Sequence, residues 1–293
     1  MNIAIAGASG MVGKALTKHL AAKGHTVTAL KRDEQGGAAK PFKDVSVESL
    51  QNFDAVINLA GENIAAKRWT DEQKKLIIKS RVETTAFLAK TLSQTIGRPS
   101  VFINASAIGF YGNRGGEAIT ESSAAGSGFL ATTCQQWEDA TLSANRAGLR
   151  VVRMRLGVII SKDGGALAKM LLPFQMGAGG NLGSGEQYMS WIAIDDVVKA
   201  IDFILQNNII EGAVNFTAPQ PVSNSEFTST MGKVLSRPAI IPAPAFALKL
   251  ILGDMAQEML LEGAKVMPAK LQAAGYEFQY PNLEQALAHE VKK

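Results

Sequence analysis

The chain has 293 residues, 46% of them apolar and 19% charged, enough to build one large α/β domain or two closely packed ones around a buried core. Its formal net charge is only +4, with Lys and Arg scattered rather than in blocks, which argues against nucleic acid as a partner. A single cysteine excludes an intramolecular disulfide framework and fits a reducing compartment.

No Lys or Arg precedes Lys14, and a glycine-rich turn begins at residue 7, too early for the apolar core of a signal peptide. The most apolar C-terminal stretch, AFALKLILGDMAQEMLL, is broken by Lys249, Gly253, Asp254 and Glu258, which argues against a membrane span. The expectation is a soluble, cytoplasmic protein with no membrane partner.

NIAIAGASG reads as a short buried strand closed by glycine, VGKALTKHLAAKG as a helix ending at Gly24, and HTVTAL as a second strand. Strand, helix and strand within about thirty residues form a βαβ unit. The alternation continues through DAVINLAG, the charged helix TDEQKKLIIKSRVETTAFLAKTLSQ, the strand VFINASAIGFYG, a helix over 129–147 and the strand RVVRMRLGVII. This pattern predicts an α/β fold, a Rossmann-type doubly wound parallel sheet with helices on both faces. After about residue 165 the rhythm changes, with five glycines between Gly177 and Gly185. SWIAIDDVVKAIDFILQN reads as a strand entering a helix, and seven of the ten prolines lie from Pro219 onward. The expected division is a nucleotide-binding domain over 1–165, with 190–217 returning to it. A smaller C-terminal substrate-side lobe takes 166–189 and 218–293.

GASGMVG joins the first strand to the first helix and places Gly7, Ser9, Gly10, Met11, Val12 and Gly13 where a dinucleotide would bind. Gly7 permits the tight turn, Gly10 lets a diphosphate approach the backbone, and Gly13 lets helix and strand come close. The helix N-terminus offers amides and the positive end of its dipole. The second strand ends in TALKRD. An NAD site usually has an acidic side chain there for the ribose hydroxyls. Lys31 and Arg32 instead suit the extra phosphate of NADP, with Asp33 beyond the expected strand end. NADP is therefore favoured over NAD. The pair also reads as solvated surface charge.

Taken with INLAG, SAIGFYG and SWIAIDD, these features resemble the extended short-chain dehydrogenase/reductases. The closer likeness is to their atypical epimerase family subgroup, whose members carry labels such as nucleoside-diphosphate-sugar epimerase or cell-division inhibitor. LAGENIAAKRWTDEQKKLIIKSRVETT, GSGEQYMSWIAIDDVVKAI and the tail GAKVMPAKLQAAGYEFQYPNLEQAL carry it, so it spans nearly the whole chain. The wider superfamily keeps a serine at a strand end to hold the substrate oxygen, and Ser106 stands in that place. It also keeps a tyrosine four residues before a lysine on the next helix. The lysine and the oxidised nicotinamide lower the tyrosine's pKa so that it passes a proton as hydride moves. Setting Glu138 against the family's acidic residue after the lysine puts Leu130 at the tyrosine position and Cys134 at the lysine position. Leucine carries no proton, and a thiol supplies no permanent positive charge. The subgroup shares this departure. Cys134 then either touches the nicotinamide ribose or acts as a small buried hydrophobe.

Tyr111 is the remaining candidate proton donor, and reads equally as an aromatic lid. Glu121 reads as a cleft carboxylate or as part of the turn before the helix, with Ser122, Ser123 or Ser127 as caps. The turn Leu59, Ala60, Gly61 and the following Glu62 sit at one strand's C-terminal end. There Glu62 can accept from a hydroxyl, Arg68 beside Trp69 can hold an anion, and Arg81 can reach the cofactor. Gln187 and Trp191 are expected on the far wall, and Asp195 and Asp196 at a helix N-terminus for its dipole. His19, His25 and His289 show no metal-ligand spacing, so no metal is expected.

Two functions follow. One is an NADP-dependent oxidoreductase or nucleotide-sugar epimerase-like enzyme acting on a small polar substrate, sugar- or nucleotide-bearing, with Ser106 orienting the reacting oxygen and Tyr111 or water handling the proton. The other is a catalytically weak NADP(H)-binding sensor or interaction protein. Helices 71–94 and 129–147 resemble the pair that forms a four-helix homodimer interface in the superfamily.

Overall fold

The computed structural model describes residues 1–32, 42–97 and 99–292; Asp33 lies outside them. The chain opens with β1 (Asn2–Ala6), α1 (Met11–Ala22), β2 (Thr26–Leu30), the short α2 (Val47–Leu50), β3 (Ala55–Asn58), α3 (Asp71–Leu92) and β4 (Val101–Ala107). Next come β5 (Gly115–Ile119), α4 (Phe129–Asp139), α5 (Leu142–Arg146), β6 (Arg150–Leu156), β7 (Val158–Ile160) and α6 (Gly165–Gln175). The remainder contains β8 (Tyr188–Met189), β9 (Trp191–Ala193), α7 (Ile194–Gln206), β10 (Gly212–Phe216), β11 (Val222–Ser223), α8 (Asn224–Leu235) and α9 (Ala245–Leu252). It ends with α10 (Asp254–Ala256), a π-turn (Gln257–Leu261), β12 (Ala264–Val266), α11 (Ala269–Ala273) and α12 (Leu283–Lys292).

A six-stranded sheet runs in the order β10-β6-β4-β3-β1-β2, with β1 parallel to both β2 and β3, and β3 parallel to β4. The inner strands β1, β3 and β4 are almost wholly buried because both faces are covered, whereas the edge strand β2 is half-buried to exposed. Ile3, Ala4, Ile5 and Ala6 of β1, and Val101, Phe102 and Ile103 of β4, are fully buried. Ala4, Val56 and Phe102 pack with Leu88 and Leu92 of α3 and Ala144 of α5. α3 starts where the Thr70 hydroxyl accepts the Gln73 amide at 3.2 Å, and Asp71 and Glu72 complement the dipole in its first turn. The expected helix over 129–147 is in fact two. The Thr141 hydroxyl donates to the Glu138 carbonyl at 2.6 Å and the Thr141 amide bonds the same carbonyl at 3.1 Å, which diverts the backbone from helical pairing.

The chain divides into two compact units. The first holds Met1–Ser106, Thr133–Met154 and Val198–Val214, and the second Ala107–Thr132, Arg155–Val197 and Asn215–Lys293. The expected boundary at residue 165 differs from this division, because the strands hand over near their C-terminal ends, β4 after Ser106 and β6 after Met154. The second unit has its own core, in which Trp191, Phe227, Met231, Leu283 and Leu287 pack together. Among the described residues no helix is long and apolar enough to cross a membrane.

Asp196 does more than face a helix dipole. Fully buried, its Oδ1 accepts from the Tyr276 hydroxyl at 3.1 Å and the Gln279 amide at 2.7 Å, and its Oδ2 from the Tyr280 amide at 2.9 Å. One carboxylate thus pins the C-terminal tail to α7. Asp195 turns instead to His289, at 3.0 Å. Replacing Asp196 by Ala leaves the Gln279 and Tyr280 amides without this acceptor, while the Tyr276 hydroxyl keeps the Asp196 carbonyl at 3.0 Å, so Asp196→Ala is expected to cost about 2–4 kcal/mol. Asp196→Asn is expected to cost less, since it keeps one acceptor. Denaturant unfolding of both variants checks the order.

Candidate functional site

The sheet order reverses between β1 and β3, so their following loops diverge and leave a crevice beyond the strand ends. Gly7 sits at that point with φ +81°, and a Cβ added there would lie 2.7 Å from the Leu59 carbonyl carbon and 2.8 Å from the Ala60 nitrogen. Any side chain would push the two backbones apart. A Cβ on Gly13 would lie 2.6 Å from Ala8 Cα, so this glycine seats α1 against the turn. Gly10 caps α1 in extended conformation without a side-chain cap, and the first helical bond runs from the Lys14 amide to the Gly10 carbonyl at 2.9 Å. The amides of Met11, Val12 and Gly13 therefore lack intrahelical partners. Ser9 and Gly10 are exposed, and Met11 and Val12 half-buried. Such an uncovered helix N-terminus fits a diphosphate.

Lys31 and Arg32 follow β2 directly, beside β1, whose Ala6 is in register with Leu30. Both are exposed. Arg32 bridges Phe42, and the Lys31 carbonyl takes the Lys43 amide at 3.1 Å. Neither pairs with a carboxylate among the described residues.

A buried polar network that the sequence did not announce organises the end of β3. Asn58 Nδ2 donates to Thr85 Oγ1 at 3.0 Å and Asn104 Oδ1 at 2.7 Å, while Asn58 Oδ1 accepts the Ala60 amide at 3.1 Å. Thr85 donates to Asn104 Oδ1 at 3.1 Å and accepts from Trp137 Nε1 at 3.0 Å. Asn58, Thr85 and Asn104 are fully buried. β3, β4, α3 and α4 are thereby locked together, and the Leu59–Gly61 turn is aimed. The Glu62 amide donates to Ser80 Oγ at 3.0 Å.

Arg81 lies against this turn. Its guanidinium carbon stands 5.0 Å from the Trp137 ring centroid, and a Cβ on Gly61 would meet it at 3.3 Å. One amino group donates to the Ile77 carbonyl at 3.2 Å. Burial pulls Arg81 below the usual arginine range, opposed by the nearby Cys134 and Glu62. Arg68 is exposed, and the buried Trp69 holds its loop by donating to the Ile64 carbonyl at 2.9 Å.

Ser106, 1% exposed, donates to Glu138 Oε1 at 2.8 Å, and Glu138 is 3% exposed. Cys134 lies one turn before Glu138 on α4 and is also buried. At the head of α4 a carboxylate from far along the chain meets the first amides. Glu258 accepts the Phe129 amide with Oε1 at 3.0 Å and the Leu130 amide with Oε2 at 2.8 Å.

Ser106 belongs to the first unit and Tyr111 to the second. Tyr111 is not a lid, being fully buried. Its hydroxyl donates to Asn215 Oδ1 at 2.7 Å and accepts from Arg155 at 2.8 Å. The Arg155 guanidinium stacks 3.5 Å from the Phe110 centroid. Burial pushes the Tyr111 phenol up despite the neighbouring Arg155 charge. Glu121 Oε1 holds the Asn215 amide at 3.0 Å and the Lys270 amide at 3.1 Å, so it serves the fold of this unit. Gln187 spans the Leu182 and Leu260 carbonyls, and Trp191, fully buried, donates to the Gln220 carbonyl at 2.9 Å. Both are framework rather than wall. His19 meets Asp202 at 3.1 Å. Asp195, His289 and Glu290 converge with ligating atoms within 4.8 Å, a grouping that the histidine spacing did not suggest. Glu290 there already takes the Lys162 amide at 2.9 Å.

The family model described as the NAD dependent epimerase/dehydratase family matches residues 3–215, and a domain of unknown function matches residues 243–290. The epimerase family protein ML0860 of Mycobacterium leprae is 37% identical over 292 residues, which cover 98% of this chain and 94% of that protein. The crystal structure of the human epimerase family protein SDR39U1 with NADPH aligns with a TM-score of 0.89 at 34% identity, covering 100% of both chains. The nucleoside-diphosphate sugar epimerase from Corynebacterium glutamicum gives a TM-score of 0.80 at 35% identity, over 99% of this chain and 58% of that one. The chain belongs to the NAD dependent epimerase/dehydratase family and is an NAD(P)-binding, oxidoreductase- or epimerase-like enzyme with the extended short-chain dehydrogenase/reductase fold.

Thr85→Val keeps the shape of the side chain at the centre of the buried network and removes its hydroxyl. It leaves Trp137 Nε1 and one Asn58 proton without acceptors and is expected to cost about 2–3 kcal/mol. Thr85→Ser is expected to recover most of that in the same unfolding measurement.

Proposed function

We propose that this enzyme binds NADP(H) on its first unit and moves a hydride to or from an oxygen-bearing carbon of a small polar, sugar- or nucleotide-bearing substrate. The observation that carries the reading is the open glycine turn, with three orphan amides at the start of α1 and two exposed cations at the adjoining end of β2. A diphosphate suits the amides. A ribose 2′-phosphate suits Lys31 and Arg32 through charge-assisted hydrogen bonds. NADPH in the crystal structure of the human relative supports the choice. The second unit, on this reading, supplies the substrate-side residues.

When bound, the dinucleotide supplies or accepts the hydride. The proton is the task of the chain itself, and Leu130 at the expected tyrosine position cannot perform it. Ser106 and Glu138 form a buried dyad that can. In the oxidising direction Ser106 Oγ accepts the substrate hydroxyl proton while its own proton passes to Glu138. Reduction runs the same two transfers backwards. Arg81, resting on Trp137 with Cys134 nearby, supplies the positive charge that Cys134 lacks. Tyr111, its hydroxyl held between Asn215 and Arg155, is a positioning residue of the second unit.

With nucleotide-stripped protein in a calorimeter, NADPH is expected to bind more tightly than NADH. The double replacement Lys31→Ala, Arg32→Ala is expected to weaken NADPH by about 10- to 100-fold while leaving NADH unchanged; equal losses for both would refute the phosphate assignment. In turnover assays across nucleotide sugars and small carbonyl compounds, Glu138→Gln is expected to lower the rate by about 10²–10⁴-fold with cofactor affinity intact. An unaltered rate and pH profile would remove the dyad from the mechanism.

A further inference from the structure

Helix α8 carries Ser225, Thr228, Ser229 and Lys233 at helical spacing on one side, while Phe227 and Met231 of the same helix enter the core. The polar residues, with Asn181, Arg237, Ala239 and Ile240, line a cavity of about 360 Å³ that lies wholly within the second unit. That volume is at the small end for a ligand pocket, which runs about 300–1,000 Å³.

The lining is built for an anion. Arg237 fixes its stem by donating from Nε to the Gln175 carbonyl at 3.1 Å, and its two terminal amino groups have no acceptor among the described residues. Lys233 is balanced by Glu284 at 2.8 Å, so Arg237 contributes the uncompensated charge. Ser225 Oγ already accepts from Asn181 Nδ2 at 2.9 Å, which leaves its proton to be donated elsewhere. Thr228 is the second, independent indication. It is 2% exposed, lines the cavity, and its Oγ1 has no hydrogen-bond partner among the described residues. Buried hydroxyls are ordinarily satisfied, and an orphan one calls for a missing partner. The rest of the lining is Gly232, Ala239 and Ile240, with no aromatic ring on which a base could stack.

We propose that this cavity is a second small-molecule site, which takes the phosphoryl group of a small phosphorylated polyol such as a sugar phosphate. The free edge of Arg237 pairs two phosphoryl oxygens in its planar fork, and Ser225, Thr228 and Ser229 serve the remaining oxygens and the hydroxyls. The assignment is independent of the dinucleotide reading, since none of these residues belongs to the glycine turn or the β2 end.

The test is calorimetry on the full chain with three probes: inorganic phosphate, ribose 5-phosphate and ribose. Ribose 5-phosphate is expected to bind, inorganic phosphate more weakly, and ribose not at all. Arg237→Ala is expected to weaken ribose 5-phosphate by about tenfold or more. Arg237→Lys, which keeps the charge and loses the fork, is expected to recover only part. Thr228→Val, which preserves shape, is expected to give a severalfold loss. Arg32→Ala is expected to change nothing, because it alters only the dinucleotide region. The proposal is overturned if ribose 5-phosphate gives no heat, if Arg237→Ala binds as the parent does, or if the loss follows Arg32→Ala instead.

Discussion

The first unit depends on a contact between two backbones. The turn after β1 presses against the end of β3 at Gly7, where even one Cβ would lie 2.7 Å from Leu59. β1 lies between β2 and β3 in the sheet, so the loops leaving these strands must diverge, and the divergence is what opens a crevice. With the turn held this close, α1 begins without a side chain over its first amides, and its dipole faces the opening. Moving Gly7 outward by the width of a methyl group would displace the Leu59–Gly61 turn and Arg81 behind it.

Buried polar chemistry then holds the neighbouring strand ends. Asn58, Thr85, Asn104 and Trp137 pair their donors and acceptors among themselves across two strands and two helices. In a low-dielectric interior such a network is stiff when complete and costly when broken. It explains how α4 is held in place, with Trp137 bonded to Thr85 of α3. On the same helix Glu138 accepts a buried hydrogen bond from Ser106 at the end of β4. Arg81 of α3 rests its guanidinium beside the Trp137 ring of α4.

The second unit uses side chains to do what regular pairing does in the sheet. Its strands β8, β9, β11 and β12 span two or three residues each, too few for backbone ladders alone to order the chain. Carboxylates and amides bridge distant segments instead. Asp196 gathers the tail, Glu121 ties the Asn215 and Lys270 amides, and Glu258 caps α4. Tyr111, Arg155 and Asn215 form a buried polar link in which the phenol is spent internally. Tyr111, Glu121, Gln187 and Trp191, which looked available in the sequence, all spend polar atoms on hydrogen bonds within this unit.

Much of the first unit was legible in advance, because its signals are local. Unbroken apolar runs mark strands buried on both faces, glycines at 7 and 13 mark a turn that tolerates no side chain, and Lys31 and Arg32 directly follow β2. The break in the helix after Asp139 was not legible, since it rests on one threonine hydroxyl choosing a carbonyl. Nor were the pairings Ser106 with Glu138, Thr85 with Trp137, or Glu258 with the head of α4. Their partners stand far apart in the chain, and nothing in residue type or spacing selects one buried acceptor over another. Periodicity and backbone tolerance were thus written in the sequence. Which polar groups meet was decided only when long-range packing removed water and brought most buried donors to an acceptor.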